Sequence, residues 1–496
     1  MSKYTTEGSD IPTSSWRYFM SLWRALDRER LEFFDPFRVA AQIGFRAARH
    51  HPPSAETVYH LMQYNADLLG RAWWANQEQL TSYLANEGEM GWSAWLNTLF
   101  GLPGETIDEF ANRQAEVMEA VSNFNEQIER VRDEFGFQFK TSNYKLVHET
   151  DSFLMYQVLP LQQGVTVRTD LKPILLIPPY MLGVHILAFL PYENKSYAHA
   201  FANAGIPTYV RIVKDIWENE KVQTMTTEDD CLQTRELCAV LVDKHGQKAT
   251  LNGTCQGGYI SLMNILSGKL VDVCDTLISN VTPVDGTHSP AISNMPRMRR
   301  DFVLSRLANG NFVANGYLLS LGMRLAAIDR ETPLVQVLNQ ARLEQQSGLR
   351  RTKTVAALFR WLRKERVHLP PAIAEMSSIT FEQPIAADGM LPVRLFGQSL
   401  RIGDLAALNV RWYQNYALKD DLVTPPCATA GNRFLDGSGL LESVPFPGGH
   451  VAILTSPFAE HAPVNGQFQA PNGAMCRGPV LFQIELAERP KMVAAV

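Results

Sequence analysis

Residues 247–266 read QKATLNGTCQGGYISLMNIL, and this stretch decides the fold. The segment ATLN predicts a buried strand, and the segment YISLMNIL predicts a helix. Between them Gly253, Gly257 and Gly258 surround Cys255. Glycines are needed here because the chain passes close to itself where a nucleophile sits at a sharp turn from strand to helix. Since the N-terminal end of the helix also favours a thiolate, we predict that Cys255 is a nucleophile.

A cysteine nucleophile needs a base, and the base needs an acid that orients it. Where the nucleophile lies at such a turn from strand to helix, called a nucleophile elbow, the chain order is nucleophile, acid, histidine. His450 is the predicted base because it follows the last strand in SVPFPGGHVAIL, whereas His461 has no preceding strand. The loop KDDLVTP supplies the acid, and Asp421 is preferred over Asp420. Asp285 is a further candidate, at the end of the strand in TPVDG.

The reaction centre also needs two backbone N–H groups that hold a developing oxyanion. One donor is the amide of Gln256, the residue after the predicted nucleophile. The second donor comes from the loop after KPILLIPPY, around Tyr180 and Met181.

Short apolar runs alternate with helical stretches after Phe139. This alternation predicts an α/β fold with a mostly parallel sheet and helices on both faces. The predicted strands lie in KPILLIPPY, GIPTYVRIVK, QKATLN, DTLISNVTPVDG, NVRWYQNYALKDD and LLESVPFPGGH.

Residues 1–140 are predicted to form a helical N-terminal domain. The segment 106–136 predicts one long helix that opens with Thr106 and Glu109 as a capping box. Six of the nine tryptophans precede residue 96, and we interpret them chiefly as core packing between helices. The alternative is an aromatic surface that docks onto a partner, a lipid-like surface or a second subunit.

A catalytic domain is predicted over residues 141–490, interrupted by a helical insertion at about 287–398. The insertion would cover the carboxyl edge of the sheet as a cap. From Met295 to Pro370 it holds 14 Lys and Arg residues against 5 Asp and Glu residues. This charge is either a solvated helical face or a phosphate-binding surface near the entrance of the site.

Composition excludes several classes of protein. The chain has 496 residues, of which 46% are hydrophobic and 20% charged, so it has ample material for a folded core. The net charge of −5 argues against a general nucleic-acid binder. The polar start MSKYTTEGSDIPTSS does not resemble a signal peptide, so we expect a cytoplasmic protein with free thiols.

Two further patterns argue against other classes. Residues 174–192 carry no formal charge, but Pro178, Pro179 and Pro191 favour a strand and a loop over a membrane span. The six cysteines have no C-x-x-C spacing, and GTCQGG lacks the dinucleotide-binding pattern, so neither a metal site nor a bound cofactor is predicted. All cysteines except Cys255 are interpreted as small buried hydrophobic residues.

Four segments together resemble the polyhydroxyalkanoate synthase family: GTCQGG, LLIPPYMLGVHIL, KDDLVTP and PGGHVAI. The resemblance covers roughly residues 145–290 and 395–455. It implies an α/β-hydrolase fold with a helical cap and a helical N-terminal domain. It also implies that Cys255, Asp421 and His450 are the nucleophile, the acid and the base.

The resemblance implies an acyltransferase that polymerises (R)-3-hydroxyacyl-coenzyme A through a covalent acyl-cysteine, with release of coenzyme A. Its partners would be this thioester, the growing polyester chain or a granule surface, and a second copy in a homodimer. Arg299 and Arg300, in the positively charged segment, are candidates for binding the phosphates of coenzyme A.

The sequence differs from the family at Leu182, Ala188 and Leu422, where members commonly carry Asn, Asp and His. Two alternatives therefore stay open. One is a thioesterase or esterase that uses the same three residues with water as the acceptor. The other is a granule-associated protein that keeps the fold without catalysis.

Overall fold

The computed structural model describes residues 10–50, 54–293, 303–347, 352–455, 467–469, 473 and 475–493. These residues form two compact units. The first unit contains the described residues up to 132 together with residues 321–362, and the second unit contains the others.

The helices are α1 (Ile11–His50), α2 (Ala55–Phe100), α3 (Ile107–Ser122), α4 (Phe124–Arg130), α5 (Tyr197–Asn203), α6 (Glu220–Gln223), α7 (Thr227–His245), α8 (Gln256–Leu266), α9 (Pro290–Ser293), α10 (Gly316–Ala326), α11 (Ile328–Glu331), α12 (Pro333–Ser347), α13 (Thr352–Lys364), α14 (Pro371–Glu382), α15 (Asp404–Ala407), α16 (Pro425–Thr429), α17 (Ala452–Thr455) and α18 (Pro479–Val493).

The strands are β1 (Tyr144–Glu149), β2 (Phe153–Val158), β3 (Ile174–Ile177), β4 (Thr208–Val213), β5 (Ala249–Thr254), β6 (Cys274–Asn280), β7 (Leu304–Arg306), β8 (Phe312–Ala314), β9 (Met390–Leu395), β10 (Gln398–Arg401), β11 (Arg411–Ala417), β12 (Leu441–Phe446), β13 (Gln467–Gln469) and β14 (Met475–Arg477).

The capping box at the start of α3 is confirmed. The Glu109 amide donates to the Thr106 hydroxyl (3.3 Å), and the Thr106 amide donates to the Glu109 carboxylate (2.8 Å). The prediction of one long helix was wrong, because α3 ends at Ser122 and α4 follows. Asn123 separates them with φ −93° and ψ 2°, in keeping with the preference of asparagine for helix ends.

The core of the first unit joins helices that are far apart in the sequence. Its buried residues come from α1, α2, α3 and α12, and they are Ala25, Tyr83, Met118, Val121, Val337, Leu338 and Ala341. Part of the expected cap therefore contributes to the N-terminal helical core, because α12 buries an apolar face there. The division at residue 140 into a helical and a catalytic domain stays a prediction.

The six tryptophans before residue 96 do not pack in that core, so their interpretation as core residues was wrong. Their exposed fractions run from 43% to 72% for Trp16, Trp23, Trp73, Trp74, Trp92 and Trp95. The helices bury smaller residues and Tyr83 instead.

The second unit contains an eight-stranded sheet with the order β1-β2-β4-β3-β5-β6-β11-β12. The pairs β1–β2 and β2–β4 are antiparallel, and every other neighbouring pair is parallel. The central strand β3 is fully buried, as a strand covered by helices on both faces must be. This mostly parallel sheet with its flanking helices is the α/β-hydrolase fold.

The segment between β6 and β11 is not purely helical, which corrects the expected insertion. It also contains β7 and β8, which pair with each other, and the hairpin of β9 and β10. The hairpin turn consists of Phe396 (φ 52°) and Gly397 (φ 72°). Two consecutive positive φ angles fit the twist of a two-residue hairpin, so the chain forms strands here rather than a helix.

Candidate active site

Cys255 lies at the turn between β5 and α8, as predicted. Its backbone has φ 51° and ψ −120°, a strained conformation for any residue except glycine. The Cys255 amide donates to the carbonyl of Asn280 on the neighbouring strand β6 (2.8 Å), which fixes the turn in place. The side chain is 9% exposed.

The glycines around Cys255 are required by close contact of the chain with itself. A Cβ atom on Gly253 would lie 2.5 Å from the carbonyl oxygen of Gly257. A Cβ atom on Gly257 would overlap the carbonyl oxygen of Ile177, and one on Gly258 would overlap the hydroxyl of Thr282. The glycine pattern therefore marks a real steric need at the junction of β5, α8 and the loop after β3.

His450 follows β12 and lies beside the acid and the nucleophile. Its Nδ1 atom lies 2.7 Å from Oδ2 of Asp420, and the imidazole is close enough to Cys255 for the two groups to interact electrostatically. The structure thus brings together Cys255, His450 and a buried aspartate. His461 lies outside the described residues.

The aspartate at His450 is Asp420 rather than the predicted Asp421. The other carboxylate oxygen of Asp420 accepts the amides of Leu422 (3.0 Å) and Val423 (2.8 Å). These bonds form a local turn that directs Oδ2 towards His450. Asp420 is 4% exposed, whereas Asp421 is exposed, so the turn buries only the first of the two carboxylates.

Asp285, the third candidate, has a different role. Its carboxylate accepts the amide of Thr287 (3.0 Å) and the amide of Ile385 (3.1 Å). Asp285 therefore caps a short 3-10 helix and ties it to the chain after α14. These bonds explain its burial without a catalytic function.

The charge on His450 follows from its surroundings. Burial alone would lower the pKa of His450, but interaction with Asp420 and Cys255, including the hydrogen bond to Asp420, raises this pKa to about 10. The imidazole therefore carries its proton at neutral pH. An imidazolium beside Cys255 is suited to stabilise a thiolate.

The predicted oxyanion donors lie together in the second unit. The Gln256 amide belongs to the first turn of α8, where N–H groups have no partner within the helix. The amides of Tyr180 and Met181 point at the side-chain oxygen of Gln256, at 3.1 Å and 3.4 Å. Two of the three N–H groups, those of Tyr180 and Met181, therefore point at the side chain of the residue that follows Cys255.

A buried ion pair that the sequence analysis missed anchors this loop. The Tyr180 hydroxyl donates to Asp230, and Asp230 pairs with Arg211 at 2.8 Å. Arg211 is 2% exposed and Asp230 is fully buried. Arg211 is a charge within the apolar strand β4, whereas Asp230 is one of three acidic residues in the first turn of α7. No local pattern linked either residue to Tyr180.

The other five cysteines were predicted to be small buried residues. Cys231, Cys238, Cys274 and Cys427 are buried, which confirms their interpretation, whereas Cys476 is only half-buried. Burial raises the pKa of Cys231 and of Cys274 to about 11, so both thiols are neutral at physiological pH.

Two features are absent from the described residues. These residues contain no cluster of three or more His, Cys, Asp and Glu residues that could hold a metal ion. In the same part of the chain no helix is long and apolar enough to cross a bilayer. Arg299 and Arg300, the predicted coenzyme A contacts, lie outside the described residues.

Comparisons with known proteins found similarity only among solved structures. No family model and no curated protein matches the chain. It is similar to a thioesterase domain from the curacin biosynthetic pathway (11% identity, TM-score 0.33), which covers 62% of this chain and 94% of that one.

Two further solved structures show the same level of similarity. An esterase from Rhodococcus sp. ECU1013 is 10% identical with a TM-score of 0.33, over 64% of this chain and 94% of that one. Brefeldin A esterase, a bacterial homologue of human hormone-sensitive lipase, is 10% identical with a TM-score of 0.34, over 68% and 80%.

Proposed function

We propose that the protein transfers acyl groups through a thioester formed on Cys255. The observation that carries this proposal is the arrangement of Cys255 at a strained turn beside the His450–Asp420 pair. The substrate that we propose is (R)-3-hydroxyacyl-coenzyme A, which the protein polymerises with release of coenzyme A. The resemblance of four sequence segments to polyhydroxyalkanoate synthases supports this choice of substrate.

In the first half of the reaction the Cys255 thiolate attacks the acyl carbon. A carbon–sulfur bond forms, and the carbonyl electron pair moves to oxygen, which accepts N–H bonds from Gln256 and the loop at Tyr180. When the carbonyl forms again, the bond to coenzyme A breaks. The coenzyme A thiolate takes the proton from His450.

In the second half a hydroxyl group attacks the acyl-enzyme. His450 accepts the hydroxyl proton, the new ester forms, and the Cys255 thiolate leaves. Asp420 holds the imidazole in position and balances its positive charge. Cysteine suits this cycle because exchange of one thioester for another is nearly thermoneutral, and the low exposure of Cys255 limits attack by water.

Hydrolysis is the second candidate, with water in place of the hydroxyl acceptor. Leu182 and Ala188 are buried apolar residues at positions where synthases commonly carry polar ones. The chain therefore lacks any contribution of those polar side chains to polymerisation, while hydrolysis needs only the three catalytic residues and the oxyanion donors. The product would then be free acid instead of polymer.

The remaining expectations depend on the proposed substrate. A cytoplasmic protein at the surface of polyester granules, a homodimer, and coenzyme A phosphates bound by Arg299 and Arg300 all stay predictions. A granule-associated protein without catalysis is the outcome if Cys255 proves unreactive towards thioesters.

The test measures coenzyme A release from (R)-3-hydroxybutyryl-coenzyme A and separates polymer from free acid. The unaltered chain is compared with Cys255→Ala and with Cys476→Ala, a control that removes another thiol. Polymer from the unaltered chain and the control, but not from Cys255→Ala, supports the proposal. Free acid alone assigns the protein to the hydrolases, and no release with short- or medium-chain substrates overturns the proposed activity.

A further inference from the structure

The side chain of Gln256 lies where the substrate oxygen is expected. Its Oε1 atom accepts the amides of Tyr180 (3.1 Å) and Met181 (3.4 Å), the two N–H groups proposed to complete the oxyanion site. The carboxamide therefore uses the same donors that a developing oxyanion needs.

The hydrogen bonds on the other side of Gln256 fix its orientation. Its Nε2 atom donates to the hydroxyl of Ser377 on α14, and that hydroxyl donates to the carbonyl of Ile373 (3.0 Å). Only the carbonyl oxygen of Gln256 can accept two N–H groups, and Ser377 has a lone pair for the amide. Every donor in this chain of bonds has an acceptor, so the flipped amide is excluded.

We propose that the Gln256 carboxamide is a built-in occupant of the oxyanion site, which the carbonyl group of the substrate must displace. This inference rests on the proposed function, because it assumes that Cys255 attacks a carbonyl carbon. It assigns two opposite effects to one residue, since the Gln256 backbone amide assists the reaction and its side chain competes with the substrate.

The loop does not need the side chain of Gln256 to keep its position. The Tyr180 hydroxyl donates to the buried Asp230, which is paired with Arg211. The Met181 carbonyl also accepts the amide of Val367 (3.0 Å). Removal of the carboxamide should therefore free the two N–H groups without loosening the loop that carries them.

Helix α14 holds the Gln256 carboxamide in place through Ser377. Its neighbour Ser378 is exposed and donates only to Ala374 within the same helix (3.0 Å). The pair gives a matched comparison, because Ser377→Ala removes the support of Gln256 and Ser378→Ala removes a similar hydroxyl on the same helix.

The experiment measures how tightly butanal binds to Cys255. The thiol adds to the aldehyde carbon, and the aldehyde oxygen becomes a hydroxyl or an alkoxide next to the oxyanion donors. Binding is read as protection of Cys255 from iodoacetamide, with the labelled peptide identified by mass spectrometry. Direct alkylation by iodoacetamide forms no oxyanion, so its rate without aldehyde reports the thiol alone.

We expect Gln256→Ala to bind butanal about two- to tenfold more tightly, the range of one net hydrogen bond, when protection is measured against the alkylation rate of each variant without aldehyde. Ser377→Ala should shift binding in the same direction by less, and Ser378→Ala should match the unaltered chain. Gln256→Glu should weaken binding, because a carboxylate accepts the two amides more strongly.

Equal or weaker binding by both Gln256→Ala and Ser377→Ala would overturn the inference and leave the proposed function intact. Tighter binding without coenzyme A release would support the inference and count against the thioester substrate. No protection of Cys255 by butanal in any variant would overturn both, since Cys255 would then not add to carbonyl groups.

Discussion

Two neighbouring carboxylates in one loop have different environments, and this difference decides which of them serves His450. Asp420 accepts two backbone amides and faces the imidazole, while Asp421 is exposed. The prediction of Asp421 was wrong because both aspartates follow the same strand and differ by one position. Only the hydrogen bonds of the turn distinguish them, and these depend on backbone angles that residue type does not determine.

The first prediction compares the two aspartates. Asp420→Asn should lower kcat/KM for coenzyme A release by about 100-fold or more, because the neutral amide neither orients His450 as an acceptor nor balances its charge. Asn can still accept the amides of Leu422 and Val423, so the turn should stay folded. Asp421→Asn should change kcat/KM by less than about threefold. The opposite ranking would contradict the assignment of Asp420.

At the scale of elements, the local pattern predicted the turn at Cys255 but not the strands β1 and β2 or the hairpin at Phe396. Glycine spacing and a buried strand located β5 and α8 because both signals lie within twenty residues. The antiparallel strands β1 and β2 were not predicted, since their pairing joins segments whose alternation of apolar residues is weak. The hairpin at Phe396 was missed because a bulky residue rarely adopts a positive φ angle.

The second prediction concerns the contact between β5 and α8. Gly253→Ala should lower the free energy of unfolding by about 1–3 kcal/mol, because its Cβ atom meets backbone atoms that cannot move independently. Gly403→Ala is the matched control, since its Cβ atom would lie 3.6 Å from the nearest atom. We expect the control to stay within about 0.5 kcal/mol in urea unfolding. Equal free energies of unfolding for the two variants would contradict close packing between β5 and α8 at Gly253.

At the scale of the whole molecule, the sequence separated a helical region from an alternating one. It could not assign α12, whose apolar face joins the core of the first unit across more than two hundred residues. It also misplaced six tryptophans, because aromatic residues at helical spacing do not reveal which face is covered. Long-range packing, rather than local pattern, decides both outcomes.

The third prediction concerns stability at acidic pH. His199 is 1% exposed, and burial lowers its pKa to about 4. Its Nδ1 atom lies 2.7 Å from the Ser196 hydroxyl, its ring packs edge-on against Tyr144, and its Nε2 atom has no hydrogen-bond partner among the described residues. The folded state therefore favours the neutral imidazole.

The unfolded chain binds this proton at a higher pH, near 6.5, so stability should fall as the pH decreases from about 6.5 to about 4. The contribution of His199 to this loss is roughly 3 kcal/mol. His199→Phe should remove it, so its free energy of unfolding should depend less on pH over that interval. Parallel curves for the two proteins, measured by urea unfolding at several pH values, would contradict the role of His199.

The most direct test of the central claim is to trap the acyl group on the protein. (R)-3-hydroxybutyryl-coenzyme A is mixed with excess protein, the reaction is stopped with acid within milliseconds, and the peptides are analysed by mass spectrometry. We predict that the acyl mass is found on the peptide containing Cys255, and that His450→Ala forms this adduct much more slowly. An acyl group on any other residue, or release of coenzyme A without acylation of Cys255, would contradict the account.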